Sequence, residues 1–170
     1  MAEICKSISV CIHNKIRSCF MKILISACLM GVCCRYDGTG KDVGIKDRYP
    51  QVEFVNVCPE LMGGLSAPRS CAEISHDRVV DINGKDFTEE YTAGAKKTLK
   101  IAKENDCTVA ILKAKSPSCG SGLVYDGTFS GKLVPGDGIS VALLKANGIK
   151  VFSEERLEEL DEYLQQGGLE

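Results

Sequence analysis

Short apolar runs that end at turn residues alternate along the chain with longer amphipathic segments. Four runs are rich in β-branched side chains and too short for buried helices, so they predict strands. They lie at residues 22–26, 53–57, 108–112 and 149–152. Three longer segments repeat apolar residues at helical spacing, and they lie at residues 88–105, 139–146 and 153–164. Strand–helix–strand order favours parallel pairing, and we predict a single compact three-layer Rossmann-like α/β domain with a mainly parallel sheet.

The pair Asn83-Gly84 predicts a hairpin. It separates the arms 78–82 and 85–87, and such a pair is a strong short-range signal for a two-residue turn. Residues 63–73, before it, are too rich in Gly and Pro for the interior of an element, so we expect a loop that lines a pocket there.

The pair Asp126-Gly127 predicts a second small hairpin in the same way. Its arms are residues 123–125 and 128–129. We expect this hairpin to lie over the functional site.

Chain length favours one domain with a leading extension. A chain of 170 residues suits a single domain, and no repeat or linker divides it. Residues 1–20 mix cysteines with basic residues, whereas Met21 begins a β-rich run with the pattern of a fresh amino terminus. We predict an extension of unknown role at residues 1–20, a domain at 21–164 and a tail at 165–170. A weakly amphipathic surface helix is the alternative for the extension.

Composition excludes several classes of protein. Hydrophobic residues make up 44% and charged residues 26%, which is typical of a folded globular protein. No apolar stretch approaches membrane-spanning length, and a net charge of −2 offers no general attraction to nucleic acid. We expect a cytoplasmic monomer that acts on a small molecule, with no membrane or nucleic-acid partner.

Ten cysteines are many for this length. The chain has no Cys-x-x-Cys pair, which disfavours zinc ribbons and thioredoxin motifs, so a metal site has to gather distant residues. A secreted disulfide framework is the less favoured alternative, because the chain is longer than typical disulfide-rich domains and begins with no clear signal peptide. Cys33 and Cys34 are adjacent and are not expected to bind one metal together, and Cys107 suits the core.

Cys28, Cys58 and Cys119 each follow a predicted strand. The carboxyl ends of parallel strands face one crevice, so we expect these thiols to converge there. Three thiolate ligands without an obvious fourth are typical of a metal centre with one open coordination position. Thiolates select zinc, Cu(I) or an iron–sulfur cluster, and the absence of His from these loops disfavours catalytic zinc. Cys71 is the main rival ligand, and a fourth cysteine would close the site.

Three motifs of this kind occur in order along the chain. They are Cys28-Leu29-x-Gly31 with Arg35-Tyr36-Asp37-Gly38, then Cys58-Pro59-Glu60 with Gly63-Gly64-Leu65 and Pro68-Arg69, then Lys115-Ser116-Pro117-Ser118-Cys119-Gly120. In this order and at this spacing they resemble the 2-thiouracil desulfurase (desulfidase) family. The resemblance covers about residues 21–164.

The resemblance implies an enzyme that exchanges the C=S bond of a thiolated pyrimidine for C=O and releases sulfide without net redox change. It implies a [4Fe–4S] cluster held by three cysteines, with one iron not bound by protein. The cysteines that match are Cys28, Cys58 and Cys119. Glu60 and Ser116 match the catalytic carboxylate and hydroxyl of the family.

Other residues of these loops are candidates for substrate binding. They are Arg69, Lys115 and Ser118, and solvation is the alternative role for the two cations. The alternative function is a non-enzymatic metal- or redox-sensing protein whose cysteine site holds zinc or a labile cluster.

Overall fold

The computed structural model describes residues 21–167, in which strands and helices alternate. The strands are β1 (Met21–Ser26), β2 (Val52–Val57), β3 (Ala72–Ser75), β4 (Arg78–Asp81), β5 (Val109–Leu112), β6 (Leu123–Tyr125), β7 (Leu133–Pro135) and β8 (Lys150–Ser153). The helices are α1 (Ile45–Arg48), α2 (Pro59–Met62), α3 (Thr88–Glu104), α4 (Ile139–Ala146) and α5 (Leu157–Gln165). A 3₁₀ turn, Ala27–Met30, follows β1 directly.

Four strands form one parallel sheet in the order β2-β1-β5-β8. In register, Leu24 lies opposite Val55 of β2 and Ala110 of β5. Because the strands run in one direction, their carboxyl ends meet at the same edge of the sheet. The prediction of a mainly parallel sheet is therefore confirmed.

Alternate side chains of β1 pack into two cores, one on each face of the sheet. Ile23 and Ile25 pack with residues of α1 and α5, whereas Leu24 packs with residues of α3 and α4. All three are fully buried, and burying a side chain of this size contributes roughly 1.5–3 kcal/mol. Helices on both faces make three layers, as the sequence predicts.

Two glycines let α2 pack unusually close to α3. A Cβ at Gly94 would lie 1.9 Å from the Pro59 carbonyl oxygen, and one at Gly63 would lie 2.1 Å from that of Glu90. Both contacts are with backbone atoms, which cannot rotate away as a side chain does. The close approach fixes the start of α2 against the first turns of α3, and both helices contribute to the functional site.

The first predicted hairpin is partly wrong. Strand β4 pairs with β3, whose first two residues fall in the stretch that we expected to be loop, and the chain turns at His76 and Asp77. Residues 85–87 join β4 through one isolated bridge, between Val80 and Asp86, and form no strand. The reason is local, because the Asp81 carboxylate accepts the backbone N–H groups of residues 83 and 85 and holds Asn83-Gly84 as a capped loop.

The second predicted hairpin has the wrong second arm. Strand β6 pairs with β7, at Leu133–Pro135, and residues 128–129 lie in the loop between them. The buried carboxylate of Glu73 on β3 accepts the backbone N–H groups of Gly127 and Phe129, both at 3.0 Å. These tertiary hydrogen bonds hold the loop open, and a local turn signal cannot reveal them.

The predicted extension at residues 1–20 lies outside the described residues, and so does part of the predicted tail. Helix α5 ends at Gln165, close to the boundary expected at 164. The division of the chain stays a prediction. Within residues 21–167, no helix is both long enough and apolar enough to cross a membrane.

Candidate active site

A cavity of about 470 Å³ opens at the carboxyl edge of the parallel sheet. Its wall includes the ends of β1 and β2, the loop after β5, and residues of the β3–β4 and β6–β7 hairpins. This is the crevice in which open α/β sheets bind ligands. Two groups of side chains meet in it, one built from thiols and one built around a carboxylate.

The first group, which we call the thiol wall, consists of Cys28, Cys34, Cys58 and Cys119. Cys28 lies in the 3₁₀ turn after β1, Cys58 directly precedes α2, and Cys119 lies in the turn after β5. The structure thus brings the three cysteines singled out in the sequence to one cavity. Their role as ligands stays a prediction.

Cys34 is the member of the thiol wall that sequence reasoning missed. Its neighbour Cys33 is exposed, whereas Cys34 is buried and lines the cavity. The Cys58 thiol donates a hydrogen bond to the Cys34 carbonyl oxygen at 3.8 Å. The sequence signal was the Arg35-Tyr36-Asp37-Gly38 turn directly after Cys34, whose first two residues also line the cavity.

Three thiols of this wall, those of Cys34, Cys58 and Cys119, have raised pKa values and hold their protons tightly. Hydrogen bonding with Cys28 raises the pKa of Cys34 to about 11, and burial raises that of Cys119 to about 12. The hydrogen bond with Cys34 likewise raises the pKa of Cys58. Thiolates are the form that binds metal, so a metal centre formed here has to displace these protons.

The second group, which we call the carboxylate wall, consists of Glu60, Arg69, Tyr91 and Ser116. Arg69 donates to Glu60 Oε2 from Nε, at 2.9 Å, and from Nη2. The Tyr91 hydroxyl donates to the same oxygen at 3.2 Å. The Ser116 hydroxyl donates to the other oxygen, Oε1, at 3.3 Å. The two carboxylate oxygens therefore have different surroundings.

Ser116 connects the two walls. Its Oγ accepts the backbone N–H groups of Ser118 at 3.0 Å and of Cys119 at 3.1 Å. Both acceptor positions of the hydroxyl are then used, and its proton points to Glu60 Oε1. The preceding residue, Lys115, has φ of 63°, a conformation rarely adopted by residues other than glycine. Backbone strain of this kind concentrates at functional sites.

Charge and burial reinforce the Glu60–Arg69 pair. Burial alone would lower the pKa of the Arg69 guanidinium, but the charge of Glu60 and their hydrogen bonds raise it overall. Burial and the nearby charge of Glu60 also raise the pKa of Tyr91, so its hydroxyl stays protonated and acts as a donor. Tyr91 was not singled out in the sequence, because its position in the apolar stripe of α3 looks like that of any core residue.

The predicted substrate-binding residues lie in different places. Arg69 also donates to the carbonyl oxygens of Cys34 and Ser66, so it is engaged mainly with protein groups. Lys115 lines the cavity and pairs with Glu155 at 2.7 Å. Ser118 is fully buried, and its hydroxyl bonds with that of Ser140 at 2.9 Å, away from the cavity lining.

The donor set of the thiol wall fits an iron–sulfur cluster. Its members are sulfur donors that line one cavity, and thiolates are the ligands that iron–sulfur clusters use. Within residues 21–167, no three His, Cys, Asp or Glu side chains come close enough to hold a single metal ion. A mononuclear zinc draws its ligands to about 2.0–2.3 Å from one point, so the zinc alternative has no support.

Comparison with known proteins agrees with this geometry. The chain is 44% identical over 149 residues to the uncharacterized protein YbbK of Bacillus subtilis (strain 168), covering 81% of this chain and 99% of that protein. The structure of this chain matches that of the [4Fe-4S]-dependent thiouracil desulfidase TudS with a TM-score of 0.79 and 40% identity. The match covers 86% of this chain and 99% of the other. Residues 23–156 match the family model for 2-thiouracil desulfurase. The chain belongs to the 2-thiouracil desulfurase family.

Proposed function

We propose that this protein is an iron–sulfur-dependent desulfurase of thiolated pyrimidines such as 2-thiouracil. Water and the C=S group react to give C=O and hydrogen sulfide, with no change in oxidation state. The observation that carries the proposal is the cavity that brings Cys28, Cys58 and Cys119 against Glu60 and Ser116. One wall supplies metal ligands and the other supplies a group that can move a proton.

Cys28, Cys58 and Cys119 are the proposed ligands of a [4Fe–4S] cluster. Bound by three cysteines, the cluster supplies an iron with an open position, which acts as a Lewis acid toward the thiocarbonyl sulfur. Soft sulfur ligands suit this iron, and burial of Cys28 and Cys119 keeps water from competing with them.

Glu60 is the proposed proton acceptor. Its Oε2 is held by Arg69 and Tyr91, whereas Oε1 accepts the Ser116 hydroxyl and is the oxygen that can take a proton. Ser116 directs its hydroxyl proton to Oε1 and positions or delivers the oxygen that attacks the ring carbon. Arg69 and Tyr91 act through Glu60 and are positioning residues.

The rest of the cavity suits a flat, polar heterocycle. The side chains of Tyr125 and Phe129 line it, and aromatic faces stack well on planar rings. Lys115 is the proposed cation at the substrate, since it lines the cavity next to Ser116. Cytoplasmic location and a monomeric state remain predictions from the sequence.

Anaerobic cluster reconstitution followed by an assay tests the proposal. We expect about four irons and four labile sulfides per chain, and conversion of 2-thiouracil or 4-thiouracil to uracil with one sulfide released per turnover. A chain that holds the cluster but converts neither compound would favour the metal- or redox-sensing alternative. A chain that takes up no cluster would contradict the proposal as a whole.

A further inference from the structure

Glu73 is a buried acidic residue that the proposed mechanism does not use. It is 8% exposed, yet it lines the cavity. It lies on β3, on the hairpin side of the cavity, whereas Glu60 lies on α2. Burying a carboxylate is costly unless its oxygens are partnered, so the partners of each oxygen indicate what the residue does.

The two carboxylate oxygens of Glu73 differ in their partners. Oε2 accepts the backbone N–H groups of Gly127 and Phe129, both at 3.0 Å. Within residues 21–167, no group donates a hydrogen bond to Oε1. No fully buried side-chain oxygen in this part of the chain lacks a hydrogen-bond partner, so Oε1 is accessible. Because Glu73 lines the cavity, Oε1 is the oxygen that a bound molecule can reach.

No cation in the described part of the chain balances Glu73. Four cationic side chains line the cavity, and each already lies beside another carboxylate. The pairs are Arg35 with Asp37, Arg69 with Glu60, Lys113 with Glu154, and Lys115 with Glu155. Oε1 of Glu73 therefore suits a hydrogen-bond donor that enters the cavity with a ligand.

The Glu73 carboxylate is held beside an aromatic residue of the cavity. Phe129 lines the cavity with φ of 57°, a conformation that is uncommon for a bulky residue, and its N–H bonds to Glu73 Oε2. The β6–β7 loop lies close to β3, since a Cβ at Gly127 would be 2.6 Å from the Ile74 carbonyl oxygen. An aromatic face fixes the plane of a flat ring, and an acceptor beside it fixes the rotation of the ring in that plane.

We propose that Glu73 orients the substrate, with its Oε1 accepting the ring N3–H of the thiolated pyrimidine. The inference rests on the proposed function. N3 lies between C2 and C4, so N3–H is the donor next to the thiocarbonyl in both 2-thiouracil and 4-thiouracil. A hydrogen bond to a carboxylate at this position selects pyrimidines with a protonated N3 and rejects rings that lack this donor. Glu73 binds and orients the ring, and it transfers no proton in the reaction.

The test combines one variant with methylated substrates. In Glu73→Gln the amide oxygen can still accept the two backbone N–H groups, so the loop keeps its place, but an NH₂ group then faces the N3–H donor. The matched control is Asp126→Asn, which makes the same exchange in the same loop. Asp126 accepts the Thr128 N–H at 3.0 Å and is not part of the cavity wall.

Steady-state kinetics on 4-thiouracil and its N1-methyl and N3-methyl forms, normalised to iron content, give the readout. In wild type we expect N3-methylation to lower kcat/KM by on the order of 10²-fold, and N1-methylation to have a much smaller effect. Glu73→Gln should raise KM for 4-thiouracil by on the order of 10-fold, with cluster content retained, and should lose most of the discrimination against the N3-methyl form. Asp126→Asn should behave as wild type.

The outcomes separate this inference from the proposed function. If wild type holds the cluster but converts no thiouracil, the proposed function fails and the inference fails with it. If wild type is active but treats the N1-methyl and N3-methyl forms alike, the N3–H contact is overturned. If Glu73→Gln keeps the wild-type KM and the full N3-methyl penalty, Glu73 only holds the loop.

A second variant serves if Glu73→Gln does not fold. Glu73→Asp keeps the carboxylate on a shorter side chain, which cannot reach both the loop backbone and the ring. We expect it to raise KM for 4-thiouracil and to reduce the N3-methyl penalty, with circular dichroism as the check on the fold. Wild-type values for both quantities would overturn the inference.

Discussion

The two walls of the cavity differ in how completely their polar groups are partnered. On the carboxylate wall, Arg69, Tyr91 and Ser116 all donate to Glu60, and the charge of the carboxylate is balanced by that of the guanidinium. On the thiol wall, burial and hydrogen bonding raise the pKa of Cys34, Cys58 and Cys119, and the Cys58 thiol contacts a backbone oxygen of Cys34. One wall is organised by the protein alone, whereas the other is the proposed site of the cluster.

The difference separates the two tasks of the site. A preorganised carboxylate costs no rearrangement when a proton moves, which is what acid–base catalysis needs. Thiols lose their protons when they bind a metal, so the proposed cluster binding at the thiol wall would release protons. Changes on one wall should therefore alter cofactor content, and changes on the other should alter turnover with the cofactor retained.

Removing one proposed cluster ligand should have the largest effect. We expect Cys119→Ala to lose the cluster almost completely, because two remaining cysteines cannot hold it in place. The measurement is iron content with visible absorbance after anaerobic reconstitution, with circular dichroism to check the fold. Cys107→Ala is the matched control, since Cys107 is equally buried but lies in the core next to α3. Retention of the full cluster in Cys119→Ala would remove Cys119 from the ligand set.

Changing the carboxylate without changing its shape should have the next largest effect. We expect Glu60→Gln to keep the cluster and to lose on the order of 10²-fold or more in kcat, the scale of general acid–base catalysis. The amide fills the same space but cannot take up the proton at Oε1. Steady-state assays on 2-thiouracil, normalised to iron content, measure this. Near wild-type kcat with a full cluster would leave Glu60 without a catalytic role.

Separating α2 from α3 should disturb the carboxylate wall without touching a functional group. We expect Gly94→Ala to lower stability by roughly 1–3 kcal/mol, because its Cβ would meet the Pro59 carbonyl oxygen and the helices must move apart. Turnover should also fall, since Glu60 lies on α2 and Tyr91 on α3. Urea denaturation measures the stability. Thr92→Ala on the same helix is the control, and equal stability of the two variants would contradict close packing at Gly94.

Breaking the ion pair between Arg48 and Asp161, which lies away from the cavity, should have the smallest effect on stability. The side chains of Arg48 and Asp161 are 39% and 33% exposed, against 9% and 13% for Arg69 and Glu60. Hydrogen bonds from Arg48 and then Tyr49 lower the pKa of Asp161. Because the pKa of Asp161 is lower in the folded state, its carboxylate stabilises the fold at pH values above the ordinary pKa of about 3.9. This stabilisation is lost as the pH falls through the pKa of the folded state.

We therefore expect Asp161→Asn to lower Tm by on the order of 1–2 °C at pH 7, as for a solvent-screened pair. At pH 3 and below the difference should shrink toward zero. Thermal unfolding at both pH values measures it. A loss of stability at pH 7 as large as that of Gly94→Ala would contradict the expectation. It would show that solvent exposure does not weaken the contribution of an ion pair to the stability of this fold.

Sequence pattern by itself determined the sheet and three of the four members of the thiol wall. The apolar run of β1, with Ile23 and Ile25 on one face and Leu24 on the other, requires cover on both sides, so a three-layer fold follows. Cysteines placed just after parallel strands then have to lie at one edge of the sheet. These inferences succeed because they depend on local periodicity and on the direction of strands.

Tertiary structure alone decided the form of the β6–β7 loop, the burial of Cys34 and the place of Tyr91 in the site. The β6–β7 loop is open because Glu73, distant in sequence, holds the backbone of Gly127 and Phe129. Cys34 is buried and Cys33 exposed because Arg69 holds the Cys34 carbonyl oxygen and the loop closes at Gly40. Tyr91 became part of the site because two glycines allow α3 to approach α2. In each case the deciding contact joins residues far apart in the chain or a close approach of backbones, which no local pattern encodes.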